Sequence, residues 1–146
     1  MESEDIFSSK GNIINNLRHL SATEAYECCK LGAILIDVRE EFMSHIKTFD
    51  VPEILIYPLR TFNEDITHLP KDRYLIFVDA TGIKSRPAME FANERGFLTI
   101  ANLAGGLVEW ERDGLPTLTY QKLIVSGKNK CQFVHKDEVN RNETLL

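Results

Sequence analysis

Tyr74-Leu-Ile-Phe-Val78 runs straight into Asp79-Ala-Thr-Gly-Ile-Lys-Ser85, and then into Arg86-Pro-Ala-Met-Glu-Phe-Ala-Asn-Glu-Arg95. Consecutive apolar residues with no polar alternation predict a short strand buried on both faces, as in a parallel sheet covered by helices. The stretch after the loop predicts a helix. Pro87 stands in its first turn, where a missing N–H costs nothing, and Gly96 supplies the stop. A strand, a short glycine-containing loop and a helix N-terminus form the repeating unit of an open α/β sheet.

The same unit recurs on either side. Ala33-Ile-Leu-Ile-Asp-Val38 and Glu53-Ile-Leu-Ile56 are further buried-strand runs, and Phe97-Leu-Thr-Ile100 is a fainter one. Ser21-Ala-Thr-Glu24 matches a capping box, which opens a helix reaching Leu31 with Gly32 as its left-handed stop. Residues 62–69 predict a short helix ending at Pro70, and residues 106–112 predict another before the Asp113-Gly114 turn. The expected fold is α/β: a five-stranded, mainly parallel sheet with helices on both faces.

The expected organisation is a loosely held lead-in over residues 1–18, a domain over 19–117 and an extension over 118–146. In the extension, β-like runs at 120–125 and 131–135 flank Ser126-Gly-Lys-Asn-Lys130, which reads as a C-terminal β-hairpin. From Thr117 onward the chain carries five Lys/Arg against three Asp/Glu, which leaves −7 for the rest. Such a hairpin is either solvated and packed on its own domain or an edge for pairing with another chain.

A length of 146 residues suits one core. The net charge of −5 argues against nucleic acid or an anionic membrane as partner. No apolar run approaches the roughly 20 residues that span a bilayer. The acidic start, Met1-Glu-Ser-Glu-Asp5, lacks the order of a signal peptide, so the expected location is cytoplasmic. Three cysteines, Cys28, Cys29 and Cys131, are not a disulfide framework and fit a reducing compartment. With no Cys-x-x-Cys and the four histidines far apart, no metal and no cofactor is expected.

Ligands of open α/β sheets bind beyond the carboxyl ends of the strands. The loop of Asp79, Ala80, Thr81, Gly82, Ile83, Lys84 and Ser85 lies at such an end. Its backbone N–H groups and the following helix dipole suit an anion, and Thr81, Lys84 and Ser85 would add donors.

Several segments in order now carry a resemblance. Ile36-Asp-Val-Arg-Glu40, His45-Ile46, Ile56-Tyr-Pro-Leu59, Leu69-Pro-Lys-Asp-Arg73, Asn102-Leu-Ala-Gly-Gly-Leu-Val-Glu-Trp110 and Gly114-Leu-Pro116 resemble the motifs of rhodanese domains, from about His19 to Thr117. Active members open the loop with a Cys whose thiolate takes up sulfur as a persulfide, in a pattern like Cys-Arg-Ser-Gly-x-Arg-Ser. The resemblance sets Asp79 at that cysteine, keeps Gly82, Lys84 and Ser85, and gives the short sulfurtransferase loop instead of the longer phosphatase one.

A carboxylate cannot form a persulfide. The favoured reading has Asp79 filling the anion cradle with the protein's own charge, much as an N-cap carboxylate does, which disfavours small-anion binding. The resemblance then implies a catalytically inactive domain that binds a protein partner or regulates. The alternative is a sulfurtransferase-related enzyme using another thiol, with Cys131 beside Lys128 and Lys130 the candidate. Asp79 as a covalent nucleophile lacks a visible acid/base partner. Asp37 and Arg39 are expected to support neighbouring loops, Trp110 to be core, and His45 to be a packing residue.

Overall fold

The apolar runs around Ile36 and Phe77 lie side by side, because each can hide both faces only inside a covered sheet. The computed structural model describes residues 5–119. In chain order the elements are β1 (Asn12–Ile14), β2 (Leu17–Leu20), α1 (Ala22–Lys30), β3 (Ile34–Asp37), α2 (Glu41–Ile46), β4 (Lys47–Phe49) and β5 (Ile54–Ile56). They continue with α3 (Phe62–Asp65), β6 (Leu75–Val78), α4 (Ser85–Glu94), β7 (Ile100–Leu103), α5 (Gly106–Arg112) and β8 (Thr117–Thr119). The main sheet has the order β1-β2-β7-β6-β3-β5. Its five strands from β2 to β5 are mutually parallel, and β1 adds an antiparallel edge. A separate antiparallel pair joins β4 to β8.

Strand side chains alternate between faces, so each face of the sheet builds its own half of the core. Leu20, Leu35, Ile76, Val78, Ala101 and Leu103 pack under α1 and α5, with Trp110 and Phe49. Leu17, Ile34, Ile36, Phe77 and Ile100 pack under α3 and α4, with Phe62 and Met89. Trp110 is fully buried, and its indole N–H donates to the Pro116 carbonyl at 2.8 Å. The expected capping box is present: Glu24 N–H donates to Ser21 Oγ at 3.2 Å, and Ser21 N–H to Glu24 Oε1 at 2.9 Å.

Three expectations need correction. Over its described residues, 5–18, the lead-in is not loose: Asn15 and Asn16, with φ of 54° and 66°, turn β1 back onto β2, and Phe7 is buried with its ring edge-on to Tyr74. Asparagine tolerates this left-handed turn geometry, so the Asn-Asn pair was the overlooked hairpin signal. The faint strand at 97–100 lies instead at Ile100–Leu103, with Leu98 left exposed. Its inward-facing Asn102 hid it from an apolar-run reading. The helix expected at 62–69 is a single turn of α-helix, Phe62–Asp65, followed by the 3₁₀ turn Ile66–His68. The predicted hairpin at 120–125 and 131–135 lies outside the described residues. No helix among those described is long and apolar enough to cross a membrane.

Candidate functional site

Asp79 follows the last residue of β6, and the alternation of that strand turns it toward the α4 face of the sheet. There the residue is 4% exposed, and its carboxylate meets donors from its own loop. Oδ1 accepts the Gly82 N–H at 2.5 Å and Oδ2 accepts the Lys84 N–H at 3.0 Å. The Ser85 hydroxyl lies 3.1 Å from Asp79 Oδ1 and 2.5 Å from Asn102 Oδ1. One hydroxyl proton serves both oxygens, so the two backbone N–H groups are the firm partners of the carboxylate. This is a cradle of inward N–H groups at the start of a ten-residue helix, with a side chain of the same chain seated in it.

The loop can curl this tightly because of Gly82 and a second glycine across the way. Gly82 has φ +89°, and a Cβ there would stand 2.7 Å from Gly105 N and 2.8 Å from Leu103 O. Gly106 has φ +58°, and a Cβ there would meet the Ala80 carbonyl at 2.5 Å. Their absence lets α5 press its first turn onto the loop. Leu107 N–H donates to Asp79 O and Val108 N–H to Ala80 O, both at 3.0 Å. The orphan donors of α5 are thereby satisfied by the carbonyls that lead into the loop.

Of the residues expected here, Asp79, Gly82 and Ser85 are buried together, while Thr81, Ile83 and Lys84 are exposed. Lys84 contributes its backbone N–H to the carboxylate, and its side chain points outward. Two members went unforeseen. Asn102 on β7 donates to Gly82 O at 3.3 Å and contacts His19 Nδ1 on β2 at the same distance. His19, Asn102 and Asp79 come from three neighbouring strands and share the α4 face. The position of Asn102 inside an otherwise apolar strand was the signal available in sequence. Burial lowers the His19 pKa, the Arg86 charge lowers it further, and Glu90 opposes them. A cleft of about 340 Å³ opens beside the loop between Thr81, Ile83 and Arg86 on one side and Asn12, Ile14 and His19 on the other.

Asp37 and Arg39 lie near the loop in sequence pattern yet belong to the other face. Asp37 pairs with Val78 across β3 and β6, and its side chain turns away from that of Asp79. Arg39 Nη2 donates to Asp37 Oδ2 at 2.9 Å, and Nε lies 3.1 Å from Oδ1. Ser44 Oγ donates to Asp37 Oδ2 at 2.9 Å, and Arg39 Nη2 also donates to Lys47 O at 2.9 Å. Fully buried Asp37 thus ties the end of β3 to α2 and β4, a supporting role.

Cys28 and Cys29 sit on the buried side of α1, away from this chemistry. Burial pushes the Cys28 thiol up to about 11 and the Cys29 thiol up to about 12, so neither offers a thiolate at neutral pH. Cys131 lies outside the described residues. Among the described residues no group of His, Cys, Asp and Glu gathers to hold a metal ion.

Comparison with known proteins agrees with this arrangement. Residues 21–113 match the family described as the rhodanese-like domain. A sulfurtransferase of Allochromatium vinosum is 29% identical over 83 residues, which cover 57% of this chain and 76% of that protein. The crystal structure of a rhodanese-related protein from Thermoplasma volcanium superposes with a TM-score of 0.63 at 28% identity, covering 69% of this chain and 97% of the other. The polysulfide-sulfur transferase homodimer of Wolinella succinogenes gives a TM-score of 0.62 at 25% identity, covering 70% and 78%. With a fold that superposes on a rhodanese-related structure and a family match over most of the described residues, this chain belongs to the rhodanese-like domain family.

Proposed function

We propose that this chain is a rhodanese-like domain without sulfurtransferase activity, in which Asp79 stands where the family places its sulfur-carrying cysteine, and that it serves as a binding or regulatory module. One observation carries the reading: the Asp79 carboxylate accepts the Gly82 and Lys84 N–H groups, the donors that an external anion would need. An anion entering this cradle would face a fixed negative charge and donors already engaged. An oxygen nucleophile also cannot hold sulfane sulfur as a persulfide. Support for a binding role comes from the loop tip, where Thr81, Ile83 and Lys84 face outward.

The second reading, a sulfurtransferase that uses a different thiol, is favoured by the sulfurtransferase relatives. Raised thiols at Cys28 and Cys29 leave Cys131 as its candidate.

Thiocyanate formation from thiosulfate and cyanide separates the two. The native chain is expected to give no turnover above buffer. Asp79→Cys is expected to give weak turnover, because the cradle then surrounds a thiolate that can take sulfur from thiosulfate and release sulfite. Native turnover abolished by Cys131→Ser would overturn the inactive reading and establish the second one.

A further inference from the structure

A row of polar side chains crosses three adjacent strands. Asn12 of β1 stands opposite His19 of β2, and His19 stands opposite Asn102 of β7. Residues opposite one another share a face of the sheet, here the face that carries α4. The Asn102 amide nitrogen lies 3.3 Å from the Gly82 carbonyl, which can only accept, so the orientation of the amide is fixed. The same NH2 group lies 3.3 Å from His19 Nδ1. Nδ1 therefore accepts, and the neutral ring holds its proton on Nε2.

His19 is buried, yet Nε2 is neither sealed from solvent nor hydrogen-bonded among the described residues. It is the ring atom left to face the cleft of about 340 Å³ that His19 lines. Arg86 lines the same cleft, exposed and without an ion pair among the described residues, and its charge reaches His19. Two donors thus converge on one space. The walls beside them are apolar: Ile14 is 51% exposed and Ile83 70% exposed. Glu24 also borders the cleft, with its oxygens held by the Ser21 and Gly11 N–H groups at 2.9 and 3.1 Å.

We infer that this cleft binds a small organic monoanion, a carboxylate met by Arg86 and the His19 Nε2–H with a short apolar body between Ile14 and Ile83. The Arg86 charge attracts the carboxylate, and the fixed charge of Glu24 disfavours a dianion. The volume lies at the small end of the range for small-molecule sites. The Asp79 cradle takes no part, because its N–H donors are engaged by its own carboxylate. The inference does not rest on the loss of sulfur transfer.

A backbone-amide NMR titration of the full chain at constant ionic strength tests it, with hexanoate, hexanamide and inorganic phosphate as probes. Hexanoate is expected to shift Ile14, Ile83 and Arg86 and to saturate by about 10 mM. Hexanamide lacks the charge and phosphate lacks the apolar body, so each should bind at least about tenfold more weakly. Arg86→Gln changes an exposed side chain and should weaken hexanoate at least about tenfold. His19→Leu should weaken it as well, with unchanged amide shifts at Leu75–Val78 of β6 showing that the variant is folded. No saturating shift with hexanoate, equal binding of hexanamide or phosphate, or full affinity in Arg86→Gln would overturn the inference and leave the self-filled loop standing. Shifts largest at Lys84 and Ser85 would put the anion in the Asp79 cradle, and would overturn both together.

Discussion

Asp79 and Lys84 bracket the loop that follows β6, and the carboxylate of the first accepts the backbone N–H of the second at 3.0 Å. Together with the 2.5 Å bond from Gly82 N–H, this contact turns an anion cradle into a closed, internally neutralised loop. The side chain is buried, so its bonds hold the loop in shape as well as filling it.

Removing that carboxylate should therefore do two things. Asp79→Ala leaves buried N–H donors unmatched, and we expect a loss of about 2–3 kcal/mol in a urea unfolding series. The emptied cradle should also admit an external anion: thiosulfate should raise the melting temperature of Asp79→Ala and leave the native chain unmoved. A thiosulfate shift of the native chain would contradict the self-filled loop.

Gly82→Ala should cost about 2–4 kcal/mol, combining a left-handed residue with a methyl group forced against backbone. The atoms in the way are Gly105 N and Leu103 O, which cannot move aside as a flexible side-chain end would. Chemical-shift changes in the Gly82 variant should be largest at residues 103–106 and small at α1.

Arg39→Met strands the fully buried Asp37 carboxylate, and an unfolding measurement should show a loss of about 3–5 kcal/mol. Asp37→Leu combined with Arg39→Met should recover most of that, since a paired charge in the interior adds little over a well-packed apolar pair. Arg39→Lys should fall between, because an ammonium cannot give the planar fork that Arg39 presents to Asp37.

His19 should make the domain sensitive to mild acid. Burial and the Arg86 charge hold its folded pKa below the ordinary value of 6.5, so the unfolded chain binds the extra proton more readily. Its contribution to stability is present above about pH 6.5 and is lost as the pH falls below it. Protonation would also place an N–H against the Asn102 amide, which now approaches Nδ1. Unfolding midpoints between pH 5 and 7 should fall toward the acid side in the native chain and flatten in His19→Gln.

Much of this was legible without coordinates. The runs at Ile34–Asp37 and Leu75–Val78, the box from Ser21 to Glu24 and the glycine stops are local signals, and each lies within a residue or so of its expected place. The edge hairpin was missed because its signal, Asn15-Asn16, sits in a polar stretch with few apolar residues. β7 was misplaced because Leu98 looks like core and Asn102 does not, although their burial is the reverse.

The sequence by itself determined the α/β class, the loop, and the presence of Asp79 at its head, because periodicity, caps and turn chemistry act between residues a few positions apart. Which residues would join Asp79 was decided only by the tertiary structure. Strand order brings β2, β7 and β6 together, so His19 and Asn102 reach the loop from far along the chain. Side-chain alternation sends Asp37 to the opposite face from Asp79, although their strands are adjacent. Those placements follow from burying two faces of one sheet at once, a condition on the whole chain that no short stretch of it records.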